Sequence, residues 1–266
     1  MNPILRTLGR RLAEYLAQPT GQGTKAVSAA QSAVAEALRP GDVLLVEGDT
    51  RISTAIKYLT QSTWSHAALY VGDALGAQDT GEEPGTLIEA DIREGIRAVP
   101  LSLYASTHTR ICRPVGLSPG DLTKVIDYAV ARIGQQYDLK NVFDLARYLF
   151  PTPPVPLRWR RRMIAFGSGD PSRAICSTLI AQAFHSVHYP ILAECTLVKS
   201  VEPACQDCYR ESLHIRHYSL FTPRDFDISP YFHVVKPSVR NDFDYRRVIW
   251  EDDSCGSAQA LAAAAR

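Results

Sequence analysis

Between Asp42 and Pro114 the chain passes through five short apolar segments in quick succession. Val43-Leu44-Leu45-Val46 reads as a buried strand. Ala67 to Val71 reads as a second and Thr86-Leu87-Ile88-Glu89-Ala90 as a third. Gly95-Ile96-Arg97-Ala98-Val99-Pro100-Leu101 gives a fourth, and Arg110-Ile111-Cys112-Arg113-Pro114 a fifth. Only Ile52 to Leu59, between the first and second, reads as a short helix. Short strands this close together, joined by Gly- and Asp-rich turns, fold as a small antiparallel sheet or barrel.

Helical patterns flank this region, so the expected class is α+β. Residues 4–18 carry Leu5, Leu8, Leu12, Tyr15 and Leu16 at helical spacing beside Arg6, Arg10 and Arg11. Such a helix docks on the domain or lies on a membrane surface. A second helix runs to about Leu38, and Arg39-Pro40-Gly41-Asp42 ends the helical lead-in. Ser118 caps a helix whose buried face is Leu122, Val125, Ile126, Ala129, Val130 and Ile133, and Gly134 stops it. Asn141 to Leu149 reads as helical. Pro151 to Pro156 excludes regular structure and leads into the cationic run Arg158-Trp159-Arg160-Arg161-Arg162. That run is a solvated face or a dock for an anionic headgroup. Beyond the helix that starts at Cys176 the chain reads as irregular to about His214. It ends in a partly stranded segment around Phe232-His233-Val234-Val235 and a frayed tail. The expected division is a helical extension over 1–39, one domain over 40–236 and a tail over 237–266.

Bulk composition narrows the functional classes. A chain of 266 residues, 45% hydrophobic and 21% charged, can bury a full core. A net charge of +1 supplies no field for nucleic acid. No apolar run approaches a membrane span, and Met1 to Arg6 lacks the apolar stretch of a secretory signal. The expectation is a cytoplasmic protein whose six cysteines are thiols rather than a disulfide framework.

Two residues carry the chemistry. Cys176 opens the helical stretch Cys176-Ser177-Thr178-Leu179-Ile180-Ala181-Gln182-Ala183-Phe184, and a helix N-terminus favours a thiolate. His66 sits in Trp64-Ser65-His66-Ala67-Ala68-Leu69-Tyr70-Val71-Gly72, at the start of a strand. A thiol nucleophile needs a base, an orienter for that base and donors for the oxyanion. Glu89 is the lone acid in an apolar strand, where a carboxylate is costly unless paired. Alternation puts it on the face of Leu87, away from Ile88. If the second and third strands are neighbours, it lies beside His66. The oxyanion donors are the Cys176 N–H and a side chain such as Tyr137. The competing reading makes Cys176 a small core residue, His66 a structural one and Glu89 an edge charge. A separate set, Cys195, Cys205, Cys208, His214 and His217, has one Cys-x-x-Cys spacing of the zinc-knuckle kind but no second one. Metal there would pin an irregular segment rather than catalyse.

At these residues the chain resembles the circularly permuted branch of the NlpC-type papain-like cysteine hydrolases, the YiiX/YebB-like group. The matching stretches are Gly41 to Leu45, Trp64 to Gly72, Leu87 to Ala90, Gly134-Gln135-Gln136-Tyr137-Asp138, Cys176 to Ile180, and Thr222-Pro223-Arg224-Asp225-Phe226-Asp227. His66 precedes Cys176, as in the permuted branch. The resemblance covers about residues 40–236 and implies a small antiparallel sheet packed on helices, with Cys176, His66, Glu89 and Tyr137 as site residues and no cofactor. It also implies thiol chemistry on an amide or ester bond of a small-molecule, peptide or lipid acyl substrate. The first expectation is a hydrolase working through an acyl-enzyme. The alternatives are a lipid acyltransferase or thioesterase touching a membrane through residues 4–18 and 158–162, and a non-catalytic binding module.

Overall fold

A computed structural model describes residues 31–76, 83–135, 175–199, 209–214 and 217–237, with residues 14–15, 18–19 and 246. The strands are β1 (Val43–Val46), β2 (His66–Tyr70), β3 (Leu87–Asp91), β4 (Gly95–Val99), β5 (Thr109–Pro114), β6 (Glu194–Lys199), β7 (Tyr209–His214) and β8 (Phe232–Val235). The helices are α1 (Gln31–Ala37), α2 (Arg51–Thr60), α3 (Pro119–Val130), α4 (Ile175–His185) and α5 (Pro223–Asp227). Six strands form one sheet in the order β4-β3-β2-β1-β5-β8, and every pairing in it is antiparallel. With β4 and β8 at its ends, the structure is an open sheet, not a barrel.

Both faces of the sheet are covered, which is why its strands read as apolar runs rather than as alternations. Val43, Leu45, Ala67, Leu69, Ile88, Ala90 and Cys112 face α3 and α4, meeting Val125, Ile126, Ala129, Leu179, Ile180, Ala183 and Phe184. Leu44, Val46, Ala68, Leu87, Val99 and Ile111 face the other way, onto Val34 and Leu38 at α1 and onto Leu101. Each such apolar side chain contributes about 1.5–3 kcal/mol on full burial. The largest of them, Phe184, packs edge-on to Phe232 of β8 and so joins α4 to the last strand.

Local signals set the element ends. Ser118 accepts the Asp121 N–H at 3.1 Å and caps α3, with Pro119 in its first turn. Gly134 follows in the left-handed region at φ +85, and its N–H donates to Ile96 O at 2.8 Å. The chain leaving α3 thereby runs along the free edge of β4. Thr50 caps α2 by accepting from Ser53 N. At the entry to β1, buried Asp42 accepts Arg113 Nε at 2.9 Å, Arg113 Nη2 at 2.7 Å and Arg39 N at 2.8 Å. This fork ties the lead-in from α1 to β5.

One stretch differs from expectation. The segment read as irregular up to His214 contains β6 and β7, paired in register from Glu194↔His214 to Lys199↔Tyr209. A separate two-stranded ribbon does not need the continuous apolar face that marks strands of the main sheet, so its sequence carries little periodic signal. The expected helix over 141–149 and the Pro- and Arg-rich segment after it lie outside the described residues. Of residues 4–18, Glu14 and Tyr15 are helical. There the Arg51 guanidinium lies 4.1 Å from the Tyr15 ring centroid, and Arg51 N donates to Gln18 O at 3.1 Å. No helix among the described residues is long and apolar enough to cross a membrane.

Candidate active site

Three adjacent strands and one helix supply the site. β2 begins at His66, and its register with β3 pairs Leu69 with Ile88 and Tyr70 with Leu87. Continued along the strands, that register sets Glu89 opposite Ala68, on the same face as His66. The two side chains meet: His66 Nε2 lies 2.5 Å from Glu89 Oε2. From the other side, α4 packs across β2 and β3 and brings Cys176, in its first turn, close enough to His66 for the two groups to interact electrostatically. Cys176 is 4% exposed and Glu89 3%. The sequence reading thus placed Cys176, His66 and Glu89 in one neighbourhood, and the fold brings them together.

Glu89 is held by more than His66. β3 and β4 pair Glu89 directly with Arg97. The turn between them is pinned by Asp91 Oδ1, which accepts from Arg93 N at 2.7 Å and Glu94 N at 2.9 Å. This Asx-type turn sets the hairpin register and with it the Glu89–Arg97 pairing. Arg97 grips Glu89 Oε1 through Nε at 2.8 Å and Nη2 at 2.7 Å, and gives its Nη1 to Glu94 Oε2 at 2.7 Å. Tyr104, at the end of the 3-10 turn Leu101–Tyr104, donates its hydroxyl to Glu89 Oε2. Oε2 therefore accepts two hydrogen bonds, and Oε1 accepts one from Arg97 Nε with the Nη2 ion-pair contact beside it.

The electrostatics follow from this arrangement. Burial alone would raise the Glu89 pKa, but the hydrogen bond and charge of His66, then Tyr104 and Arg97, bring it from 4.5 down to about 2. Glu89 is thus an anion across the neutral range and can only accept. Burial alone would lower the His66 pKa; Cys176 and then Glu89 reverse this and hold it well above 6.5. Tyr104 is pushed far above the ordinary phenol range by burial and then by the Glu89 charge, so it stays protonated and donating. Because Glu89 can only accept, His66 Nε2 carries a hydrogen. In the neutral ring that leaves Nδ1 without a hydrogen.

Arg97 and Tyr104 were not found by sequence reasoning. Arg97 had a signal: an arginine in the apolar strand Gly95 to Leu101, one short turn away from the lone acid of the preceding strand. Tyr104 had none, since its approach depends on a 3-10 turn beyond Pro100. Tyr137 lies outside the described residues, as do Cys205 and Cys208. Cys195 and His214 fall on β6 and β7, while His217 is exposed and bonds Ser219 Oγ through Nδ1 at 2.7 Å. Among the described residues no group of three or more His, Cys, Asp or Glu side chains is placed to hold a metal ion.

In chain order the histidine strand β2 precedes the cysteine helix α4, and both pack on the open antiparallel sheet. Residues 37–149 match the model of the family described as permuted papain-like amidase enzyme, YaeF/YiiX, C92 family. That stretch, which contains His66, Glu89, Arg97 and Tyr104 and ends before Cys176, is what the chain shares with the permuted papain-like amidases. Among solved structures, the chain is similar to the crystal structure of the metalloprotein YiiX from Escherichia coli O157:H7. The identity is 17%, the TM-score is 0.43, and the alignment covers 74% of this chain and 96% of that one. No curated protein matches the chain.

Proposed function

We propose that this protein is a thiol-dependent amidase in which Cys176 is the nucleophile, His66 the general base and acid, and Glu89 the orienter. The observation that carries the reading is the His66 imidazole hydrogen-bonded through Nε2 to the Glu89 carboxylate, with the Cys176 thiol of α4 near enough to favour its charged form. The match of residues 37–149 to an amidase family favours an amide as the bond attacked.

In the proposed reaction His66 Nδ1 takes the Cys176 proton, and the thiolate sulfur attacks the carbonyl carbon of the amide. The oxyanion that forms is met by the Cys176 backbone N–H at the positive end of α4. The C–N bond then breaks as His66 Nδ1–H protonates the leaving amine, which leaves a thioester on Cys176. His66 next takes a proton from water; the hydroxide attacks the thioester and the acid is released as the thiol re-forms. Through both halves Glu89 stays ionised and holds the imidazole by Nε2–H, offsetting the positive charge of the imidazolium.

The test is turnover of a panel of N-acyl aminocoumarin amides with apolar, acidic and basic acyl groups. Cys176→Ala is expected to lower turnover by about 1,000-fold or more, and Glu89→Gln to lower kcat with little change in KM. Intact-protein mass should show the acyl group on wild type and not on Cys176→Ala. Undiminished turnover in Cys176→Ala would remove the reading.

A further inference from the structure

Glu89 is the least exposed charge of the site, yet the proposed mechanism needs only one of its hydrogen bonds. Two of the three that it accepts come from Arg97 and Tyr104, and Arg97 Nη2 adds an ion-pair contact at 2.7 Å. Both donors are delivered by structure that would be needless if Glu89 were only filling space. The Asx turn at Asp91 sets the register that places Arg97 opposite it. The turn carrying Tyr104 is closed by Thr107, whose N and Oγ1 both donate to Tyr104 O. The allocation of oxygens is also specific. Arg97 makes both of its contacts with Oε1, and Oε2 is left to His66 and Tyr104.

We infer that Arg97 and Tyr104 are positioning residues for the reaction: together they fix the rotation of the Glu89 carboxylate and keep it ionised, so that His66 presents Nδ1 to Cys176. This inference rests on the proposed Cys176–His66–Glu89 reading and adds the apparatus that orients it. Arg97 holds Oε1 while Tyr104 and His66 hold Oε2, so turning the carboxylate about its last bond would break contacts on both oxygens at once. The Tyr104 hydroxyl occupies the second lone pair of Oε2 and leaves the first to His66. Its ring centroid lies 6.2 Å from that of His66, which walls one side of the imidazole.

Among the described residues, the titratable groups that bear on this set come from β2, β3, β4 and the turn between those two, α4 and the 101–104 turn. His66 is faced by Glu89 from β3, by Cys176 from α4 and by Tyr104 from the 101–104 turn. Glu89 is faced by His66, Arg97 and Tyr104. Arg97 also meets Glu94 and Asp91 across the hairpin turn. Without the Arg97 charge or the Tyr104 hydroxyl, protonation of Glu89 becomes easier. A protonated Glu89 no longer stabilises the imidazolium, so the thiolate–imidazolium pair is lost at a higher pH.

The probe is iodoacetamide, with modification of Cys176 followed by peptide mass mapping from pH 4 to 9; no substrate is needed. Arg97→Gln and Tyr104→Phe are each expected to move the acid limb of the rate profile upward by about half a pH unit or more. Arg97→Lys, which keeps the charge and loses the fork, should restore part of the shift. A structural role alone would scale the rate without moving the limb. If either variant folds poorly, judged by helicity in circular dichroism, the other carries the comparison with wild type. Limbs that coincide with wild type in all three, while Glu89→Gln moves its own, would overturn the inference and leave the underlying reading intact. If His66→Ala and Glu89→Gln also match wild type, the Cys176–His66–Glu89 reading itself falls.

Discussion

The indole of Trp64 donates to Asp227 Oδ2 at 3.0 Å, joining residues separated by 163 positions. Asp227 closes α5, and its other oxygen accepts Arg110 Nη1 at 2.6 Å. The Arg110 guanidinium lies 4.9 Å from the Trp64 ring centroid. The late Thr222-Pro223-Arg224-Asp225-Phe226-Asp227 stretch, singled out in the sequence, therefore anchors the approach to the histidine strand. Thr222 and Asp225 form its capping box, with Asp225 Oδ2 accepting from Thr222 N at 2.7 Å. Asp227→Ala strands a buried indole N–H and is expected to lower unfolding free energy in urea by about 2 kcal/mol. A midpoint equal to wild type would mean that the bond contributes nothing.

Acid titration should expose Glu89. Its pKa is depressed from 4.5 to about 2 in the folded protein. A depressed carboxyl contributes stability that is full above the unfolded value and lost as pH falls through the folded one. The window is therefore pH 4.5 down to 2, and the contribution is on the order of 3 kcal/mol. His66 has the opposite sign, because its folded pKa is raised well above 6.5. Its contribution is full below 6.5 and declines as pH rises toward the folded value. Urea denaturation of wild type between pH 5 and 2 should lose stability more steeply than Glu89→Gln. Parallel slopes would show that Glu89 is not held ionised.

The two described free thiols should differ in reactivity. Cys112 is buried in the core, and burial, then the Asp227 charge, pushes its thiol up to about 12. At pH 8 only about one molecule in ten thousand carries that thiolate. Iodoacetamide should modify Cys176 at least about 100-fold faster than Cys112 in the native protein. Equal rates would argue against an activated Cys176.

Arg113→Ala should be among the most destabilising single changes. It removes both bonds of the fork to Asp42, which is 1% exposed, and the bond from Arg113 Nη2 to Ala37 O. Breaking one partner of a buried ion pair costs about 3–5 kcal/mol, because the other charge remains unpaired. Asp42→Asn combined with Arg113→Gln should recover part of the loss in thermal unfolding, since neither partner is then a buried lone charge.

The sheet was legible because its strands are buried on both faces and stand out as apolar blocks between turn residues. Glu89 was legible for the same reason: one carboxylate in such a block demands a partner. That the strand beside it carries His66 followed from strand adjacency, which held in β2 and β3. Arg97 escaped notice although hairpin pairing brings it opposite Glu89, because pairing depends on the turn register and the turn is set by one side chain, Asp91. Tyr104 was invisible for a different reason. A 3-10 turn has no periodic signature over four residues. The ribbon of β6 and β7 was missed because two strands outside the main sheet show no apolar alternation.

The parts of the site are not made at the same time. His66, Glu89, Arg97 and Tyr104 all lie on neighbouring strands and one turn of a single stretch, joined by hairpins. A ribosome adding about 5–20 residues per second exposes that proton-handling half several seconds before Cys176 is polymerised. β8, which closes the sheet against β5, comes later still. Cys176 therefore reaches His66 only after the strands and the turn that hold His66 and Glu89 have been made, and a chain cut short before it carries the imidazole–carboxylate pair with no thiol beside it.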